Sequence, residues 1–305
     1  VEGGGGDERG FASARIGGRK GNGSWRAYGK WFDRDPGFSP AGNNYDDWDM
    51  GRAGFRTDWK TSCCDTVTFQ GDYYNGEAGQ TQQILSPVAP FESLQPSDHQ
   101  VSGGNLLFRW SRKFDDETDW SFQAYYDRTE RFITELDFGE DRDTVDINFQ
   151  VRFPWRQNQS VIWGAGYRNT SDDVDNSSFQ LKFFPDSRSL DWFHTYIQDQ
   201  ITLCDDWLFL TVGSKFSWND FTGFEIQPTA RLLYTPSKRR TLWASVSRAV
   251  RTPSRAEDDI YLLSSPLAAP VNPTFPLVVG NRGIEAEELL AWELGIRSAP
   301  LDELF

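Results

Sequence analysis

Between Asp143 and Trp155 the chain changes character at every residue: Val145, Ile147, Phe149, Val151 and Phe153 alternate with Asp146, Asn148, Gln150 and Arg152. Successive side chains leave a β-strand on opposite sides, so this alternation predicts a strand with one apolar and one polar face. The pattern recurs. Leu208, Leu210, Val212, Phe216 and Trp218 oppose Thr211, Lys215 and Ser217, and Phe224, Ile226, Ala230, Leu232 and Tyr234 oppose Glu225, Gln227, Thr229 and Arg231. Pro228 interrupts the last run, and its missing N–H predicts a bulge or local break there.

About thirteen strands follow from these signals. They lie near Phe11–Arg19, Trp25–Arg34, Arg52–Lys60, Thr66–Asn75, Val101–Phe114, Asp119–Phe132, Thr144–Trp155, Ser160–Thr170, Asp191–Leu203, Leu208–Asn219, Phe224–Thr235, Thr241–Arg251 and Leu289–Ser298. Their connections alternate in length. Lys20–Ser24, Thr61–Asp65, Asp115–Thr118, Arg156–Gln159, Cys204–Trp207 and Ser237–Arg240 are short, whereas Asp35–Gly51, Gly76–Gln100, Ile133–Asp143, Ser171–Leu190 and Thr252–Glu288 are long, with Asp220–Gly223 a brief exception. A soluble sandwich seldom keeps that asymmetry; a membrane β-barrel does, with tight periplasmic turns and longer outer loops. Trp25, Trp59, Trp120, Trp155, Trp207 and Trp243 all fall beside short turns. They are expected to form an interfacial girdle, the competing explanation being the ordinary preference of aromatics for strands.

Composition agrees with this solvent. The 305 residues carry 31 Lys+Arg against 45 Asp+Glu, a net charge of -14, which speaks against a nucleic-acid partner. No run approaches the ~18 apolar residues of a transmembrane helix, and a chain without one spans only as a closed barrel. Cys63, Cys64 and Cys204 make no disulfide framework. The adjacent pair could indicate metal or redox chemistry, but no third ligand sits at a recognisable spacing, and plain turn residues are the simpler reading. His99 and His194 are the only histidines. With no catalytic set, phosphate-binding loop or metal cluster, neither an enzyme nor a resident cofactor is expected. The chain opens on Val1 without a signal peptide, as a piece of a longer precursor would. Its first strand descends into a short turn, so Val1–Gly10 reads as the end of an earlier strand and an outer loop, and the strands as the second to about the fourteenth of a barrel with an even count.

Residues 241–258, TLWASVSRAVRTPSRAED, with 221–236, FTGFEIQPTARLLYTP, and 280–297, GNRGIEAEELLAWELGIR, resemble the TonB-dependent outer-membrane receptors. So do YIQDQITLCDDWLFLTVGSKF at 196–216 and the opening GGGGDERGFASARIGG with WRAYGKWFDRD. The resemblance implies an all-β, transmembrane antiparallel β-barrel domain over 1–305, incomplete relative to a barrel of about 22 strands whose lumen holds an N-terminal plug. Plug, TonB box and C-terminal strands are expected to lie outside this chain. It further implies TonB-dependent import of a ferric siderophore across the outer membrane of a Gram-negative bacterium. The partners would be the TonB complex, the chelate, and outer-membrane lipid with lipopolysaccharide. Haem, cobalamin or a glycan are alternative cargoes, and a passive porin-like or structural barrel, or a soluble carbohydrate-binding β protein, are alternative readings. At the motif positions Trp243, Ser247, Arg248, Arg251, Pro253, Arg255, Glu257, Gly280, Asn281, Glu285, Glu293, Gly295 and Arg297 a structural role is expected.

Ligand candidates sit at the outer strand ends. Arg128, Arg131 and Arg168 offer guanidinium donors suited to a ferric catecholate or hydroxamate, although interior arginines also pair with carboxylates or a plug. Tyr45 and Trp48 belong to the acidic, aromatic stretch Asn43–Asp49, NNYDDWD, which could bind a cation or bridge divalent ions to lipid A, or carry only solvated charge. Arg248 shares parity with Leu242, Ala244 and Val246, so either that strand has left the hydrocarbon or a bulge shifts its register. Thr252–Glu288, with Pro266, Pro270, Pro273 and Pro276, reads as an ordered cap or gating loop.

Overall fold

The computed structural model describes residues 1–6, 8–38, 40, 44–204, 207–266 and 274–298. In chain order the strands are β1 (Glu2–Gly4), β2 (Glu8–Lys20), β3 (Gly23–Arg34), β4 (Trp48–Lys60), β5 (Asp65–Leu85), β6 (Glu92–Lys113), β7 (Asp119–Ile133), β8 (Phe138–Arg156), β9 (Gln159–Asp175) and β10 (Leu181–Phe183). There follow β11 (Ser187–Cys204), β12 (Leu208–Asn219), β13 (Gly223–Ser237), β14 (Arg240–Arg251), the helix α1 (Arg255–Asp259), β15 (Ile260–Leu263), β16 (Leu277–Val279) and β17 (Glu287–Ser298). Fourteen strands form one antiparallel meander in the order β1 to β9, β11 to β14, β17; β10, β15 and β16 form a separate small sheet. Each of the thirteen expected strands has its counterpart. Glu2–Gly4 pairs with Phe11–Ser13, as the expected end of an earlier strand would.

The register sorts residues into two faces. Phe69 stands opposite Phe108, then Ala124, Ile147, Tyr167, Phe193, Trp218 and Phe224, an unbroken apolar row across eight strands. Tyr167 and Phe193 stack at 4.6 Å along it. A parallel row carries Leu210, Leu232, Ala244 and Leu294. These side chains are exposed or half-buried, Leu294 at 89% and Ile147 at 40% exposure, so the wall leaves much of its apolar surface uncovered. Only a surrounding apolar solvent gives that face a partner. On the opposite face run Arg56, Gln70, Leu107, Tyr125, Asp146 and Arg168.

The long connections depart from expectation. β5 and β6 pair without interruption from Asp65↔Arg112 to Leu85↔Glu92, so Gly76–Gln100 is mostly a ladder. A bilayer needs only about 9–11 residues per strand, and the excess projects beyond it. Ile133–Asp143 likewise reduces to a one-turn helix, Thr134–Leu136, before β8. Above the hydrocarbon nothing imposes alternation, yet backbone pairing continues, which hides these strands from pattern reading. There Ile133, Leu136, Phe138 and Val174 are buried, with Ile84, Leu181 and Phe183 packed against them.

Trp25 and Trp59 are exposed at 44% and 43%, and the Trp110 indole donates to Asp65 at 3.0 Å, as interfacial rings do. Trp243 corrects the girdle: paired with Gly295 and Leu233, it lies on the polar face. A Cβ at position 295 would meet its ring at 2.1 Å, so only glycine fits beneath it. At Pro228 the break is one-sided. Pairing with β12 continues through Ser214↔Pro228, whereas pairing with β14 stops at Thr229↔Ser247. Ile147→Arg, within the apolar face, should destabilise the folded chain in bilayers by about 2–4 kcal/mol, and Asn148→Arg on the other face by much less, measured by denaturant titration in vesicles.

Candidate functional site

The outer end is organised by arginines. α1 begins at Ser254, whose hydroxyl accepts from the Glu257 N–H at 3.3 Å while the Glu257 carboxylate accepts from the Ser254 N–H at 2.7 Å. This reciprocal cap was legible as S-x-x-E. Glu257 also accepts both arms of Arg251, at 2.8 and 3.1 Å, and Arg251 reaches across to Glu287 on β17. The Glu257 carboxyl is drawn down to about 2 by Arg251 first and by Ser254 next.

Beneath α1 three aspartates meet three arginines. Asp259, with no exposed side-chain surface, accepts from Arg188 at 2.7 Å and Arg282 at 2.8 Å. Asp258 takes a further bond from Arg188 at 3.0 Å. Arg255, 7% exposed, pairs with the buried Asp172 and donates to the Pro185 carbonyl. Its guanidinium lies 5.7 Å over the Phe183 ring. Burial pulls Arg255 below the usual guanidinium value. At Arg188 burial acts the same way, but the bonds to Asp259 and Asp258 outweigh it and the value rises. Buried charges persist only when so paired. Gly280 closes the set, because a Cβ there would meet the Asp258 backbone at 2.4 Å, and Asn281 N–H donates to the Glu257 carbonyl at 2.8 Å. The described parts of the Thr252–Glu288 segment thus form a cap clasped to the β9–β11 hairpin; residues 267–273, with Pro270 and Pro273, lie outside the described residues.

Most motif positions acquire roles. Pro253 is buried at the turn into α1. Glu293 accepts from Ser245 at 3.0 Å, and Ser247 forms the last pair of the β13–β14 ladder. Past that pair Arg248 donates to the Ile226 carbonyl, which the ladder leaves open, and to Glu288 at 2.6 Å. No bulge shifts the pairs from Leu242 to Ser247, the only irregularity of that ladder lying lower, between Tyr234 and Ser237, so the strand leaves its neighbour at the level of Arg248. Glu285 and Arg297 are exposed, and nothing in the structure explains their presence in the motif.

The ligand candidates do not converge. Arg128 lies opposite Asp143 in the rows that continue the apolar face, and Glu130, Asp143 and Asp141 hold it at 2.7, 3.0 and 3.1 Å. A recess of about 510 Å³ lined by Glu130, Asp141, Asp173 and Asp175 opens beside it. Arg168 lies on the polar face, bonded to Asp146 at 2.8 Å. Arg131 shares that face, opposite Glu140, and is exposed with no hydrogen bond or ion pair among the described residues. Beside it the buried His99 is shifted toward its neutral form, by burial first and by Arg131 second. Glu140 and Asp146 stand six positions apart on β8, so Arg131 and Arg168 are separated by about 20 Å along the wall.

Trp48 packs edge-on against Phe32 at 4.5 Å, with the Arg34 guanidinium 4.7 Å over its ring. Asn43 lies outside the described residues. Two acids of that stretch have partners near by: Asp46 accepts from Gly37 N–H at 2.8 Å, and Asp47 lies 3.7 Å from Arg9 of β2. Tyr45 stands beside Gly79. Among the described residues no group of three metal-ligating side chains occurs. Sequence reasoning missed Asp172, Arg188, Asp258, Asp259 and Arg282; the acidic pair following the helix cap was the available signal.

The sequence pattern of the family described as TonB dependent receptor-like, beta-barrel matches residues 3–305. No curated protein matches the chain. Among solved structures, the siderophore receptor PirA of Pseudomonas aeruginosa aligns with 95% of this chain and 49% of its own, at TM-score 0.73 and 17% identity. The ferric enterobactin receptor PfeA from the same organism gives 95%, 49%, 0.74 and 18%. The FrpB iron transporter of Neisseria meningitidis gives 80%, 45%, 0.64 and 13%. The chain spans about half the length of these proteins, and at such identities they establish the fold alone.

Removing the Asp259 carboxylate by Asp259→Ala should free buried guanidinium charge at a cost of about 3–5 kcal/mol, read as faster hydrogen exchange in α1 and β15. The Glu257 bond is sensitive to acid. A carboxyl lowered to about 2 from 4.5 stabilises fully above the unfolded value, and the contribution is lost as pH falls through the folded one. Protease resistance of the cap should therefore hold to about pH 4.5, decline below it and vanish toward pH 2.

Proposed function

We propose, since this chain belongs to the family of TonB-dependent receptor-like β-barrels, that it builds the wall of a receptor importing a ferric siderophore or similar scarce chelate. The wall sits in the outer membrane of a Gram-negative bacterium, its apolar rows against lipid acyl chains and its outer end among lipopolysaccharide headgroups. Residues 1–305 belong to the barrel domain, and the plug and TonB box are carried elsewhere in the protein. Energy reaches the receptor from the TonB complex.

The observation that carries this reading is the continuous apolar face joined to a clasped outer cap. A passive pore needs the first and has no use for the second. On the polar face, which lines the lumen, Arg131 has no hydrogen bond or ion pair among the described residues, and it offers the cargo a fork of donors suited to chelate oxygens. Trp48, packed edge-on against Phe32 with Arg34 over both rings, presents an aromatic surface that suits the flat rings of a catecholate.

Expression of the full-length gene in a host stripped of its own siderophore receptors tests this, with uptake of radiolabelled iron measured for a panel of chelates. Uptake that requires an intact TonB complex is expected. Uptake that persists without it, with a steady ion conductance in planar bilayers, defeats the receptor in favour of the porin-like barrel. Arg131→Ala should weaken chelate binding about tenfold or more, the loss of one charged hydrogen bond at about 1.5–3 kcal/mol. Arg128→Gln, on the other face, should leave affinity unchanged.

A further inference from the structure

The turn between β4 and β5 contains chemistry that the transport reading does not use. Thr61 N–H donates to the Asp65 carbonyl at 3.1 Å and closes it. Inside, the Ser62 hydroxyl oxygen accepts from the N–H groups of Cys64 and Asp65, at 3.1 and 3.0 Å, and its own hydrogen goes to the Asp65 carboxylate at 2.6 Å. The Cys64 carbonyl accepts from Lys113 N–H at 2.9 Å, which ties the turn to the end of β6. Held this way, the two adjacent cysteines place their sulfur atoms 2.9 Å apart. Both are free thiols, Cys63 exposed and Cys64 half-buried.

We propose that Cys63 and Cys64 are a redox pair, closed to a vicinal disulfide by exchange with a protein disulfide of the compartment around the short turns and reopened by a dithiol reductant. The proposal rests on the reading that those turns face the periplasm, an oxidising compartment. Metal capture is the weaker use of the pair, because no third ligand joins it among the described residues and thiolate sites for zinc take four.

The chemistry assigns an order to the two sulfurs. The Cys64 thiol is pushed up by its hydrogen bond with Cys63, then by burial. Of the two sulfurs, Cys63 is the one exposed to a protein partner. In the first step the Cys63 thiolate attacks one sulfur of the partner disulfide. A mixed disulfide forms, and the other partner sulfur leaves as thiolate and takes a proton. In the second step Cys64 loses its proton and attacks Cys63 Sγ, releasing the partner as a dithiol. Two electrons pass from the pair to the partner, and the protons follow them. Adjacent Cα atoms stand about 3.8 Å apart across a trans peptide, closer than in ordinary disulfides. A bridge closed there is exposed and readily reduced, which makes it reversible rather than a staple.

The test uses the full-length protein in outer membranes of a host with its periplasmic disulfide oxidase intact. Free thiols are blocked with N-ethylmaleimide, and the peptide spanning Cys63 and Cys64 is read by mass spectrometry. The expected peptide is unblocked and lighter by the departed hydrogens, becoming doubly blocked only after reductant, while Cys204 is blocked in both samples. Full blocking of Cys63 and Cys64 without reductant overturns the pair. Cys64→Ser should trap a reductant-sensitive mixed disulfide several-fold more than Cys63→Ser does; equal trapping overturns Cys63 as the attacking sulfur. After reduction, a polymer-linked maleimide too large to cross the outer membrane should label the pair only in permeabilised cells. Labelling of intact cells overturns the periplasmic orientation on its own, apart from the peptide masses that decide the pair.

Discussion

Every backbone N–H and C=O that enters hydrocarbon must find its partner within the protein, and the rest of this structure follows from that demand. It explains why the strands form one meander with most ladders running from turn to turn, and why side chains sort into two faces. It also explains Arg248. Pro228 cannot donate, the β13–β14 ladder ends one residue below, and the Ile226 carbonyl would be orphaned if a guanidinium did not reach it. A charge on the apolar parity, anomalous as a side chain in lipid, is reasonable as a replacement for a missing backbone donor.

Beyond the hydrocarbon the governing problem changes from satisfying backbone groups to ordering a long excursion. The cap meets it with charge. Three arginines and three aspartates from β9, β11, α1 and the segment before β17 neutralise one another in a cluster that is buried except at Arg282. Such a cluster need not add net stability compared with an apolar core. What it does is fix one geometry, since each guanidinium fork accepts only a particular arrangement of carboxylates. A cap held in this way has a single defined resting position.

The wall was legible from sequence because its two solvents write a period of two directly into the side chains. Even the place of Arg128 was legible, for it shares parity with Trp120, Phe122, Ala124 and Tyr126. Trp243 misled because its nearness to a turn was clear and its parity, opposite to Leu242 and Ala244, was given less weight. The upper ladders of β5 and β6 were hidden by their polar composition: with water on both sides there is no alternation to read. The arginine cluster was hidden by distance, since Arg188 and Asp258 lie 70 residues apart and nothing local to either announces the other. Within the cap, only the Ser254–Glu257 pair was written in adjacent sequence.

The cluster of Ile133, Leu136, Phe138 and Val174 and the apolar rows of the wall read alike as sets of hydrophobic residues, yet they answer to temperature differently. The cluster is sheltered from water, so its unfolding carries a large positive heat capacity and its cohesion weakens on cooling. The wall exchanges contacts with acyl chains, which hydrate neither state, and carries no comparable signature. One polypeptide therefore has two thermal characters stacked end to end, an outer apolar cluster that loosens in the cold above a wall whose grip is set by the fluidity of the lipid around it.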